Sequence, residues 1–463
     1  MSRKGQNKGR YLTDRQYREI IENPGSLLHF VGIGGVSMYS LARLTLSLGV
    51  AVSGSDRTKS DRTEKLCELG ARIFYEHSPQ NITSASLVIY THAVGEDNPE
   101  LKTAIEQGIP VISRAELMGI MMRSYLNRIG VSGSHGKSTV TAMLECIFSR
   151  AGKDPTVLSG ADLTSGEPFR IGAYEYMLYE ACEYKDSFLH FSPTVTVGLN
   201  LELDHTDYFP DISSLKKSFT KALGRATNFA LICYDDLNLR SIISKIKSKV
   251  LTYGSDERAD YRYAITSFGH GEYEFSLLKH GEFIGDFCIN IPGAFNVSNA
   301  VCAIAIALEF GINKGLIVEA IASYKGISRR LEYLGKRWGR AVYYDYAHHP
   351  TEIAASINAL RELRGGPITV VFKPHTFSRT RSLWQSFCES LVLSDYLILT
   401  DIFPAREEPI PGITSENLAM KIPGAIYCRD DDVSYAVDSM TSGTILLMGA
   451  GDLEKVKKDV LNL

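Results

Sequence analysis

Ile129-Gly130-Val131-Ser132-Gly133-Ser134-His135-Gly136-Lys137-Ser138-Thr139 is the stretch on which the fold of this 463-residue chain turns. The apolar approach Asn127 to Val131 reads as a buried strand, and Thr139 to Phe148 reads as the helix that follows. Gly133 and Gly136 let the backbone curl close to an anion. Lys137 adds a mobile positive charge, and the Ser138 hydroxyl can ligate magnesium. The helix then points its positive end at whatever the loop holds. Val131 stands where the strict pattern G-x-x-x-x-G-K-[ST] has its first glycine, so the motif here is the shorter G-x-x-G-K-S. Strand, glycines, lysine, hydroxyls and helix in this order predict a nucleoside-triphosphate site with Gly133, Ser134, His135, Gly136, Lys137, Ser138 and Thr139 around the phosphates.

Outward from this loop, length and composition set the frame. A chain of 463 residues exceeds one ordinary core, and about three domains are expected. With 44% hydrophobic and 22% charged residues the composition is that of a soluble globular protein. A net charge of −3 gives no global reason to bind nucleic acid or an anionic membrane. The eight cysteines are scattered and include no C-x-x-C pair, which argues against a disulfide framework and suits a reducing compartment. Met1 to Arg10 is basic and leads into charged residues, not an apolar run, so a cytoplasmic protein without a secretory signal or membrane insertion is expected.

The first segment, 1–123, opens on the apolar run Leu27 to Val31, the turn Gly32-Ile33-Gly34-Gly35-Val36-Ser37, and a helical pattern from Met38. Strand, glycine turn and helix make a Rossmann-like unit, although Ser37 holds the place of the third glycine. A second strand, Ala51 to Ser55, ends in Asp56, an acidic residue placed to bond a nucleotide sugar. A third, Ser86 to Tyr90, ends in Thr91 and His92, and Pro110 to Ser113 reads as a fourth. A dehydrogenase is the competing reading, but the second phosphate loop at Gly133 points to two phosphorylated ligands, one per domain.

In the second segment, 124–326, the strand Tyr176 to Tyr179 ends in Glu180, and the strand Thr194 to Leu199 ends in Asn200-Leu201-Glu202-Leu203-Asp204-His205-Thr206-Asp207. A carboxylate and an imidazole at these strand ends can hold magnesium, which makes Ser138, Glu180 and His205 the metal candidates. Pro292 and Gly293 set the entry to an alanine-rich helix, with Ser298 or Asn299 as its cap, and the Asn296 and Asn299 amides can read a base edge.

The third segment, 327–463, follows the linker Lys325 to Arg330. The strand Ala341 to Tyr344 ends in Asp345-Tyr346-Ala347-His348-His349-Pro350, before a helix from Thr351 to Leu363. Strands at Ile368 to Phe372, Tyr396 to Thr400 and Thr444 to Met448 end in Lys373 to Arg379, in Asp401, and in Gly449-Ala450-Gly451-Asp452. The paired histidines raise the question of zinc, but no third ligand stands at metal spacing in the sequence.

The ordered set closely resembles the ATP-dependent Mur ligases of peptidoglycan precursor synthesis. It runs from Gly32-Ile33-Gly34-Gly35 through Gly133 to Thr139, Asn200 to His205, Asp345 to Pro350, Lys373 to Arg379 and Asp401-Ile402-Phe403-Pro404-Ala405-Arg406-Glu407. The resemblance implies three α/β domains: an N-terminal Rossmann-like one for the UDP-sugar, a central P-loop ATPase-like one with a mostly parallel sheet, and a C-terminal Rossmann-like one for the amino acid. It implies ligation of L-alanine to the lactyl carboxylate of UDP-N-acetylmuramate through an acyl phosphate, with ATP and two magnesium ions. The chain acts then as a monomer or homodimer. On the same terms Gly32, Gly34, Gly35, Asp56, Thr91 and His92 serve the UDP-sugar, and Asn296, Asn299, Arg330 and Asp345 join the phosphate loop around ATP. Tyr346, His375 and Arg379 receive the amino acid, and Lys137, His205, Arg330 and His348 carry the chemistry, with His348 or His375 as the amine's base. A recycling ligase that takes a murein tripeptide and a non-catalytic nucleotide-binding relative are the alternatives. Phe295, where many relatives have histidine, and Cys182-Glu183-Tyr184-Lys185, where an acidic stretch is usual, depart from the pattern.

Overall fold

The structure, a computed structural model, describes residues 12–206, 208–405, 407–440, 443–451 and 453–461. The readings placed above on Met1 to Arg10, Asp207, Arg406 and Asp452 lie outside the described residues. The chain folds as two compact units, one of residues 1–131, 153–196 and 221–229, the other of 132–152, 197–220 and 230–463.

The first unit contains a five-stranded parallel sheet in the order Arg72–Phe74, Ala51–Ser55, Leu27–Val31, Leu87–Tyr90, Val111–Ser113. Its central strand is buried at four consecutive positions, as a parallel strand covered on both faces must be. Order reverses on either side of Leu27–Val31, so the crevice outside its carboxyl end is where a ligand is expected. Arg72–Phe74 escaped the sequence reading because three half-exposed residues carry no period. This unit also carries the sheet run Asn127–Ser132, Ala173–Glu180, Pro155–Leu158, Phe169–Arg170. All its pairings are parallel except the last.

The second unit carries a further run of strands. Phe229–Cys233, Val250–Gly254 and Tyr261–Gly269 are parallel neighbours, and Glu272–Lys279 and Glu282–Ile289 close the edge as an antiparallel meander. The two hairpin turns are His270-Gly271 and His280-Gly281, all four residues with positive φ between 49° and 84°. That geometry matches the right-handed twist of the flanking strands. The helix Lys137–Arg150 packs against Phe295–Glu309, which is buried without a break from Asn299 to Ala307. Ser298 and Asn299 sit inside this helix and do not cap it. It begins at Phe295 on Ala294 without a side-chain cap, because Pro292 and Gly293 (φ 96°) turn the chain earlier than the polar residues suggested.

A six-stranded sheet completes the second unit in the order Glu332–Arg337, Arg340–Asp345, Thr444–Met448, Ile368–Phe372, Tyr396–Leu399, Ala425–Tyr427. It is parallel except for the first hairpin. Arg337 is buried at its edge, where Nε donates to Asp438 Oδ1 at 2.6 Å and Nη1 to the Val460 carbonyl at 2.9 Å. The sheet thereby presents the carboxyl ends of Arg340–Asp345 and Ile368–Phe372, and with them the polar residues singled out above.

Candidate active site

The phosphate loop is strapped to the segment after the strand Val195–Gly198. Ser134 N–H donates to the Asn200 carbonyl at 3.3 Å, His135 N–H to Asn200 Oδ1 at 2.8 Å, and Glu202 N–H to Ser134 Oγ at 2.9 Å. Asn200 Nδ2 returns a bond to the His135 carbonyl at 3.0 Å. Both loop glycines are required. A Cβ on Gly133 (φ 150°) would meet Leu199 Cβ at 2.9 Å, and one on Gly136 (φ 85°) would meet Asn299 Oδ1 at 2.8 Å. Lys137 Nζ folds back onto the Gly133 carbonyl and lies 3.3 Å from that of Ser134. Ser138 and Thr139 are buried in the first helical turn.

Asn299 therefore stands at the phosphate loop, and its amide donates to Asn296 Oδ1 at 3.1 Å. Asn296 in turn donates to the Pro292 carbonyl at 2.7 Å. Asp345, buried, accepts from Leu331 N–H and Ala347 N–H, each at 2.8 Å. Burial raises its pKa to about 6, against the opposing charge of Arg330. Its carboxylate thus fixes the bend from which Tyr346, His348 and His349 project.

Around that bend gather the residues expected to receive the amino acid. His348 Nδ1 lies 2.9 Å from the Tyr346 carbonyl, and the His348 and His375 rings are 6.1 Å apart. Arg379 Nη1 lies 2.9 Å from His375 Nδ1, and its Nη2 is 2.9 Å from Asp204 Oδ1. Burial opposes ionisation of Asp204, but the Arg379 charge outweighs it and holds the carboxyl well below its usual range. Burial pushes His348 down to about 4 although Glu352 opposes, and pushes His375 down to about 3 with help from Arg379. Both imidazoles are neutral at pH 7. Arg330 Nη1 lies 3.3 Å from Glu352 Oε1, and its guanidinium sits over the Tyr346 ring, 5.7 Å from the centroid. His205 adopts a positive φ of 53°, with its N–H donating to Asp204 Oδ1 at 2.7 Å.

Glu202 and Glu352 are the site residues that sequence reasoning passed over. Glu352 follows His349 by three, the capping-box spacing that starts the helix Pro350–Arg364, and this signal was available. Its Oε1 lies 3.1 Å from His135 Nδ1, while Glu202 Oε2 lies 3.3 Å from His135 Nε2. Burial opposes a charge on His135, but the two carboxylates prevail and raise its pKa to about 9.

In the first unit the glycine turn and the loop after Leu87–Tyr90 are close, since a Cβ on Gly32 (φ 83°) would meet Thr91 Cγ2 at 2.8 Å. Asp56 Oδ2 accepts the Gly34 N–H at 2.9 Å, and Gly35 precedes the helix Val36–Ser47 with no side-chain cap, which leaves that helix end open to an anion. His92 is half-buried, which lowers its pKa. Glu180 ends its strand with Ser159 Oγ donating to Oε1 at 3.0 Å. Ser138 and Glu180 offer the hard oxygen donors that magnesium favours, and His205 adds an imidazole.

Nucleotide-type glycine turns on two mostly parallel sheets and a third sheet bearing a polar cluster are the architecture of the Mur ligases. Residues 27–126 match the family model described as Mur ligase family, catalytic domain. Residues 131–307 match the Mur ligase middle domain, and 329–451 the Mur ligase glutamate ligase domain. A UDP-N-acetylmuramate–L-alanine ligase of Caldicellulosiruptor bescii is 40% identical over 92% of this chain and 96% of its own. One from Clostridium tetani is 40% identical over the same shares. The crystal structure of UDP-N-acetylmuramate-alanine ligase MurC from Thermotoga maritima superposes with a TM-score of 0.79, at 25% identity over 94% of this chain and 98% of that one. The chain belongs to the Mur ligase family, and within it to the UDP-N-acetylmuramate–L-alanine ligases.

Proposed function

We propose that this protein joins L-alanine to the lactyl carboxylate of UDP-N-acetylmuramate at the expense of ATP, in the cytoplasm, as a step of peptidoglycan precursor synthesis. The observation that carries the reading is one continuous polar network. It runs from the phosphate loop through His135 and Glu352 to Arg330, with Asn200 and Glu202 bonded to the loop, and two residues beyond Glu202 the chain carries Asp204, the partner of Arg379. Groups suited to a triphosphate and groups suited to an amino acid are thus built into one framework.

A carboxylate is a poor electrophile and needs activation. The γ-phosphoryl group moves from ATP to a lactyl carboxylate oxygen, which gives ADP and an acyl phosphate. The amine of L-alanine then attacks the carbonyl carbon, the C–N bond forms, and phosphate leaves with the former carboxylate oxygen. Lys137 and Arg330 stabilise charge on the transferring group. The Gly133 to Thr139 loop, with Asn296 and Asn299 beside it, holds the nucleotide, while Gly32, Gly34, Gly35, Asp56, Thr91 and His92 hold the UDP-sugar. Ser138, Glu180 and His205 are the residues that would hold magnesium, which when bound would neutralise the phosphate oxygens. Arg379 and Tyr346 orient the amino acid, and a neutral imidazole, His348 or His375, takes the amine's proton. Heavy-oxygen label placed in the lactyl carboxylate tests the route. The proposal expects it in the released phosphate, and unlabelled phosphate would contradict acyl-phosphate formation.

A further inference from the structure

His349 Nδ1 lies 3.3 Å from Glu202 Oε2 and 3.4 Å from the Thr351 backbone nitrogen. His135 Nε2 lies 3.3 Å from the same Glu202 oxygen, and one donor atom from each of His135, Glu202 and His349 falls within a 4.8 Å group. Four-coordinate zinc, with ligands at about 2.0–2.1 Å, spaces neighbouring donors about 3.3–3.4 Å apart. The two donor spacings at Glu202 have that length.

The surroundings have the chemistry of a metal site as well. The other nitrogen of His135 faces Glu352 Oε1 at 3.1 Å, the carboxylate–histidine arrangement that fixes a ligating ring. Thr351 Oγ1 donates to Glu202 Oε2 at 2.7 Å and holds that carboxylate in place. His349 is nearly buried, and His135 and Glu202 are more exposed. Of the paired histidines only His349 belongs to the cluster, and its two companions, His135 and Glu202, come from distant segments.

We infer that His135, Glu202 and His349 bind one zinc-class divalent ion, separate from the magnesium donors Ser138, Glu180 and His205, with Glu352 as the positioning residue for His135. Two imidazoles and one carboxylate select a borderline transition ion over magnesium. The ion ties the phosphate loop to the start of the helix Pro350–Arg364.

Cobalt(II) provides the test. The full chain, nucleotide-free and with excess magnesium, is titrated with Co2+ while visible absorption is recorded. One saturable equivalent with the intense bands of four-coordinate cobalt is expected. Glu352→Gln should weaken the apparent affinity roughly 10–100-fold. His205→Ala should leave the bands in place. His349→Cys should add a near-ultraviolet thiolate-to-cobalt band, a gain of signal that a misfolded variant does not give. No saturable band, a band lost in His205→Ala, or an unchanged spectrum in His349→Cys would overturn the assignment and leave a proton-held cluster.

Discussion

Arg379 grips Asp204 with three contacts, Nη2 to both carboxylate oxygens at 2.9 and 3.2 Å and Nε to Oδ1 at 3.3 Å. Both side chains are mostly buried, at 12% and 16% exposure. Asp204→Ala therefore leaves a cation without its counter-charge, and a stability loss of about 3 kcal/mol is expected. Thermal unfolding checks it, and an unchanged Tm would contradict the pair's structural weight. Arg379→Lys keeps the charge but loses the fork, so KM for L-alanine should rise about tenfold while KM for ATP moves little.

Gly136 sits at φ 85° with Asn299 Oδ1 2.8 Å from where a Cβ would be. Gly136→Ala meets both left-handed strain and a clash, of order 1–3 kcal/mol together. Because the strain lies in the phosphate loop, ATP affinity should fall more than overall stability. Calorimetric titration with ATP beside a melting curve separates the two.

Lys137→Met removes the charge next to the loop carbonyls and keeps the aliphatic stem. Turnover should drop about 10²–10³-fold. Tm in the absence of nucleotide should change little.

Glu100 is fully buried in the first unit, with Ser55 Oγ donating at 2.7 Å, Asn81 Nδ2 at 2.7 Å and His77 Nδ1 2.9 Å away. Burial opposes its charge, but bonds from His29, Ser55 and Asn81 prevail and lower its pKa to about 2. The unfolded chain protonates this group first as pH falls. Its contribution is present in full above about pH 4.5 and is lost between there and about pH 2. Denaturant unfolding of wild type and Glu100→Gln at pH 7, 4 and 3 should show a difference on the order of 3 kcal/mol that shrinks toward acid. A difference that stays constant would contradict this.

Much of this architecture is legible in sequence because buried parallel strands are short, largely apolar and end in glycine or polar residues. Leu27–Val31, Asn127–Ser132, Ile368–Phe372 and Thr444–Met448 are of this kind. The meander is not, because Tyr261–Gly269 is exposed along most of its length and lacks a clean alternation. Its His-Gly turns were the available sign. The phosphate loop was readable as a local motif, whereas His135, Glu202, Thr351 and Glu352 converge from segments 67 and 149 residues apart. No spacing rule reaches that far. Asp345 was legible as a polar strand end, but only the fold shows both its oxygens bonded to backbone N–H groups.

Phosphate release from ATP and magnesium in the presence of UDP-N-acetylmuramate, with L-alanine or the murein tripeptide offered in parallel, tests the proposed ligation directly. The account predicts release that requires L-alanine, matched mole for mole by the alanyl product in the mass spectrum. Release with the tripeptide alone, or none with either amine despite measurable ATP binding, would contradict it.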